Sequence, residues 1–153
     1  MNDLDYAGDI NPEKAWDLLK NNKDSHLIDC RTSAEWNFVG VPDLTNLGKN
    51  THFVEWQSYP LMEKNDNFLK EISDLGLSKD STLIFICRSG ARSRSAAEFL
   101  TNHGYKHCFN CCEGFEGSHD ELGHRGNVNG WKNSKLPWKQ GSVSYTHLRA
   151  HET

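Results

Sequence analysis

An apolar run, Thr82-Leu83-Ile84-Phe85-Ile86, passes directly into a short polar loop, Cys87-Arg88-Ser89-Gly90-Ala91-Arg92-Ser93. A helix-like run follows, Arg94-Ser95-Ala96-Ala97-Glu98-Phe99-Leu100. Strand, tight turn and helix in that order constrain the chain more than any other stretch. Such a turn gathers backbone N–H groups around one point and backs them with a helix N-terminus. A cysteine opens the turn, so the point is occupied by sulfur. A thiol so placed is expected to react as the thiolate.

The same alternation continues on both sides. Asn11-Pro12-Glu13 is a helix start, with a capping Asn, Pro at the first helical position and an acid at the positive end of the dipole. Ala15, Leu18 and Leu19 give that helix an apolar side, and Asn21-Asn22-Lys23-Asp24 ends it. His26 to Cys30 reads as a strand buried on both faces, Arg31 to Asn37 as a turn with a short helix, and Thr51 to Trp56 as a third strand. A helix from Asp66 carries Phe68, Leu69, Ile72 and Leu75 on one face and stops at Gly76. The helix after the loop runs from about Ser93 to His103, and His107 to Cys111 is the next strand. Alternating strands and helices imply a parallel sheet with right-handed crossovers. Ligands of such sheets bind beyond the carboxyl ends of the strands, where Cys87 falls.

With 153 residues the chain suits one domain with a real core. Its net charge of −4 gives no electrostatic reason to expect nucleic acid or an anionic membrane. No apolar run approaches the roughly 18 residues of a membrane span. The acidic start, Met1-Asn2-Asp3-Leu4-Asp5, is unlike a signal peptide. Five cysteines do not make a disulfide framework, so a reducing, cytoplasmic setting is expected. From Gly114 to Gly130 the chain is rich in Gly, His and charge and reads as an ordered excursion or flap. Trp131 and Leu136-Pro137-Trp138 supply apolar anchors after it. Residues 141–153 match no element and are set apart as a disordered or non-native tail.

Two segments together identify a family. Leu27-Ile28-Asp29-Cys30-Arg31, with Glu35-Trp36 behind it, resembles the first signature of rhodanese-like sulfurtransferase domains, and Cys87 to Ser93 resembles their active-site loop. Gly104-Tyr105, the strand after it, the turn at Gly114 and the late Leu136-Pro137-Trp138 continue the likeness, over residues 8–140. The excursion from Gly114 to Gly130 is longer than the usual link. The resemblance implies an α/β domain of rhodanese-like fold, a five-stranded parallel sheet with helices on both faces. It implies that Cys87 takes the outer sulfur of thiosulfate or another small-molecule persulfide-like donor. The sulfur then passes to cyanide, glutathione or a protein thiol. Arg88, Ser89, Gly90, Ala91, Arg92 and Ser93 would bind the donor, with no metal or other cofactor.

A thiolate is the attacking species, a loaded persulfide needs the same amides, and Arg88 and Arg92 suit an anionic donor and departing sulfite. Cysteine phosphatases and arsenate reductases also place Cys and Arg around such a loop. Here Arg88, Ser89, Gly90 and Ala91 intervene before Arg92, one residue fewer than the ring around a tetrahedral phosphate requires. A binding or regulatory module without turnover is the other alternative, and it has no need of the cysteine. Asp29, Arg31 and Glu35 read as loop support, with an Arg31–Glu35 pair as the brace. Cys108-Phe109-Asn110-Cys111 is a C-x-x-C in a strand, where packing is the better reading. Cys111 or Cys112, and less strongly Cys30, could resolve a Cys87 persulfide. Phe115 is the candidate pocket wall.

Overall fold

The computed structural model describes residues 5–58, 61–125, 128–140 and 143–145. The elements in chain order are β1 (Gly8–Ile10), α1 (Pro12–Asn21), β2 (Ser25–Asp29), α2 (Ser33–Phe38), β3 (Val41–Pro42) and β4 (His52–Phe53). They continue as β5 (Gln57–Ser58), β6 (Glu63–Lys64), α3 (Phe68–Asp74), β7 (Thr82–Ile86), α4 (Ala91–Thr101), β8 (His107–Cys111), β9 (Trp138–Gln140) and β10 (Val143–Tyr145). The main sheet has five strands in the order β1-β8-β7-β2-β4, and every pairing in it is parallel.

The local signals act as their chemistry dictates. The Asn11 side chain accepts the Lys14 N–H at 2.8 Å and caps α1. Thr32 and Glu35 cap α2 reciprocally, each side chain meeting the other's backbone N–H. Along β7 successive side chains alternate between two cores. Leu83 and Phe85 pack with Phe68, Ile72, Ala96, Ala97 and Leu100, under α3 and α4. Ile84 and Ile86 pack on the other face with Ala15 and Leu19 of α1 and with Phe115 and Trp131. Helices thus cover both faces, and β7, flanked by β2 and β8, delivers Cys87 at its carboxyl end.

Three elements differ from the sequence expectation. β1 was not expected; its three residues become a strand by pairing with β8, Gly8 opposite Phe109. The third strand, expected over 51–56, is only two residues long, on the far edge beside Ile28 and Asp29. In the segment set apart as a tail, Val143–Tyr145 pairs antiparallel with β9, which in turn pairs with β3; the rest of that segment lies outside the described residues. No described helix is long and apolar enough to cross a membrane.

Candidate active site

The loop after β7 turns on Gly90, whose φ of +111° suits a residue without a side chain. A Cβ there would collide with the Cys112 carbonyl beneath it. The turn brings two amides to one sulfur: Gly90 N–H reaches Cys87 Sγ at 3.2 Å and Ser93 N–H at 3.3 Å. Ser93 is the third residue of α4, so its N–H is one of the donors a helix start leaves unpaired. The sulfur therefore occupies the acceptor position of a helix cap, at the positive end of the dipole.

The excursion braces this loop from the other side. Phe115 N–H donates to the Cys87 carbonyl at 2.8 Å, and the Glu116 and Gly117 amides both donate to the Arg88 carbonyl at 3.0 and 3.1 Å. Gly114 passes so close to Arg88 that a Cβ would strike its carbonyl. Cys87, itself 1% exposed, lines a cavity of about 320 Å³ together with Gln57, Met62, Arg88, Ser89, Ala91, Arg92 and Arg125.

The arginines divide into two kinds. Arg92 makes a two-pronged pair with Glu35 of α2, at 2.7 and 2.9 Å, so its charge is already met. Arg88 is half exposed, with only a loose 3.7 Å approach to Glu116. Arg125 is half-buried and reaches the cavity from the excursion. One of its nitrogens donates to the Gly117 carbonyl at 2.7 Å, while Nε is buried with no partner among the described residues. Sequence reasoning missed Arg125, and the one available signal was its being the single arginine between Gly114 and Gly130.

The brace expected from Arg31 and Glu35 forms differently. Arg31 turns to Asp29, with Nη2 at 2.7 Å, and gives the same nitrogen to the Gly40 carbonyl at 2.7 Å. Its guanidinium lies 4.3 Å from the centre of the Phe115 ring. Asp29 and Arg31 are both fully buried. Burial alone would lower the Arg31 pKa, but the Asp29 carboxylate overrides it and raises it. Phe115 itself is fully buried in the core and is no pocket wall. Of the tryptophans, Trp131 is fully buried, while Trp56 and Trp138 are half-buried and pack edge-on against Phe68 and Phe115 respectively.

All five cysteines are free. Alternation along β8 places Cys108 in the same core as Cys87 and Cys111 in the other, so Cys111 faces away from the site. Burial pushes the Cys108 thiol up to about 11 and raises Cys111 further. Cys30 shares the core of Cys87; burial first, and Cys87 second, hold it well above the ordinary thiol value. Cys112 is half-buried beside the loop, raised by burial and by Asp9. Among the described residues no group of three or more His, Cys, Asp or Glu gathers to hold a metal.

The parallel sheet, the cores on its two faces and the cysteine cradle at its carboxyl edge are those of a rhodanese-like domain. More narrowly, the chain belongs to the family of the STR4 middle domain, whose model matches residues 8–145. The crystal structure of Rv0390 from M. tuberculosis superposes with a TM-score of 0.81 at 47% identity, covering 89% of this chain and 99% of that one. An uncharacterized protein of Rickettsia rickettsii is 43% identical over 126 residues, 82% of this chain and 92% of its own. The thiosulfate sulfurtransferase GlpE of Actinobacillus succinogenes is 30% identical over 112 residues, 71% of this chain and 81% of its own. The general kind of protein is thus that of the sulfurtransferases.

Proposed function

We propose that the chain moves a sulfane sulfur from an anionic donor, thiosulfate or a persulfide, to a thiophilic acceptor through a Cys87 persulfide. The Cys87 thiolate attacks the outer sulfur of the donor. A sulfur–sulfur bond forms to Sγ, the donor's own sulfur–sulfur bond breaks, and the leaving group, sulfite from thiosulfate or a thiolate from a persulfide, departs with the electron pair. No proton has to reach that leaving group, so the site needs no general acid. The acceptor, cyanide, a small thiol or a protein thiol, then takes the outer sulfur by the same displacement. The observation that carries this reading is the convergence of the Gly90 and Ser93 amides on the sulfur of Cys87, a residue that lines the cavity. The same donors that favour the thiolate favour the anionic persulfide.

The cations favour an anionic donor. Arg92 is spent on Glu35, so Arg88 and Arg125 are the groups left to hold an oxyanion. The test is intact mass after incubation with thiosulfate. A gain of one sulfur, absent in Cys87→Ser and reversed by cyanide, is expected. A wild-type protein that stays unloaded with thiosulfate, 3-mercaptopyruvate and glutathione persulfide alike would leave a binding module as the reading.

A further inference from the structure

β8 buries one amide side chain between apolar neighbours. Asn110 is 2% exposed, with Phe109 before it and Cys111 after. A buried amide left unbonded is costly, so its partners matter. Both ends are met. Nδ2 donates to Asp9 Oδ1 at 3.0 Å, and Oδ1 accepts the Ser93 hydroxyl at 2.6 Å. The same Asp9 oxygen accepts the Tyr6 hydroxyl at 2.7 Å. A carboxylate only accepts, so Asp9 decides which end of the amide faces Ser93. Ser93 has one proton and gives it to Asn110. What its Oγ turns toward Cys87 Sγ, 3.2 Å away, is a lone pair.

We propose that Asn110, oriented by Asp9, is a positioning residue that withholds the Ser93 hydroxyl from charge on Sγ and so favours the loaded persulfide over the empty thiolate. A thiol can donate its S–H to Oγ. A bare thiolate meets two amide donors on one side and an oxygen lone pair on the other. In the persulfide Sγ is bonded and uncharged, and the negative charge sits one sulfur farther from Oγ. The relay therefore penalises the empty ionised state more than the loaded one. Loading itself exchanges one sulfur–sulfur bond for another, releases sulfite with its electron pair and moves no proton. The consequence for loading rests on the sulfurtransferase reading; the state of Sγ does not.

The other titratable and charged groups around Cys87 stay in place throughout the test: Arg88 of the loop, Arg92 of α4 with Glu35 of α2, Arg125 of the excursion and Cys30 after β2. Asn110→Leu keeps the volume and frees the Ser93 hydroxyl to donate to Sγ. Alkylation of Cys87 by iodoacetamide, followed by mass across pH, is expected to shift to lower pH, with a rate near pH 6 about tenfold above wild type, the size of one charge-assisted hydrogen bond. At a fixed ratio of thiosulfate to sulfite, the loaded fraction relative to the empty is expected to fall by about the same factor. In a Ser93→Ala background Asn110→Leu should change neither quantity. Asp9→Ala, at an exposed position, unlocks the amide and should give a smaller shift in the same direction, also absent without the Ser93 hydroxyl. This second variant decides the matter if Asn110→Leu does not fold. An unmoved alkylation profile, or a shift that persists in Ser93→Ala, overturns the relay. Alkylation that follows the expectation in a protein taking sulfur from no donor overturns the sulfurtransferase reading and leaves the relay standing.

Discussion

Strands β2 and β7 lie side by side, Asp29 opposite Ile86, and each ends in a charged cluster at the same edge of the sheet. The two clusters are built in opposite ways. After β2, Asp29 and Arg31 are wholly buried and matched to each other and to the Gly40 carbonyl, although Arg31 Nη1 has no hydrogen-bond partner among the described residues. After β7, Cys87, itself 1% exposed, and the half-exposed Arg88 line a cavity that Arg125 enters from a distant segment. Charge satisfied inside the protein holds the edge of the sheet together. Charge left over at the neighbouring strand is what the proposed donor anion would meet.

The sharpest way to break that contrast is to remove one member of the closed cluster. Arg31→Leu leaves Asp29 buried without its partner, and urea unfolding should show a loss of about 3–5 kcal/mol. Replacing both partners together, Asp29→Leu with Arg31→Met, should recover much of it, because a buried ion pair contributes little net stability over apolar packing. A double variant that recovers stability and still loads sulfur would show the closed cluster to be purely structural. One that recovers stability and fails to load would show that it also shapes the loop.

The open cluster should respond in the other way. Arg125→Gln is expected to raise the KM for thiosulfate about tenfold, the worth of one charge-assisted contact, with little change in kcat. Its unfolding midpoint should stay within the range of ordinary surface substitutions, about 0.5 kcal/mol. Arg88→Gln should behave alike. A stability loss matching the KM effect would move Arg125 from the open class to the closed one.

What the sequence made legible follows the same division. The apolar run of β7, the glycine in the loop and the amphipathic helices are local signals, and each stands where it was expected. β1 is only Gly-Asp-Ile and has no pattern of its own; pairing with Phe109 to Cys111 makes it a strand. The brace expected between Arg31 and Glu35 does not form, because Arg31 precedes α2 and reaches back two residues to Asp29. The true partner of Glu35 is Arg92, 57 positions on, a separation that no local pattern announces. Asn110 looked like part of a plain C-x-x-C strand until Asp9 and Ser93 came to either side of it.

The Glu35–Arg92 pair joins the two clusters and gives the smallest effect, one readable by pH. Partial burial alone would raise the Glu35 carboxyl, but the hydrogen bonds and charge of Arg92 hold it below its ordinary 4.5. A carboxyl whose pKa is lower folded than unfolded adds stability that is complete above the unfolded value. That stability fades as pH falls below 4.5 and through the folded value. Wild type should therefore exceed Glu35→Gln by about 1–2 kcal/mol at pH 7, since both side chains are mostly shielded from water. The gap should narrow as pH falls below 4.5 and close once the wild-type carboxyl has taken up its proton. Urea unfolding at pH 7, 5 and 3 reads this directly. A gap that does not change with pH would mean that Glu35 braces the loop through its bonds to Thr32 rather than through charge. Arg92 would then count among the cations free to meet a donor, and the line between the two clusters would fall one residue further along the chain.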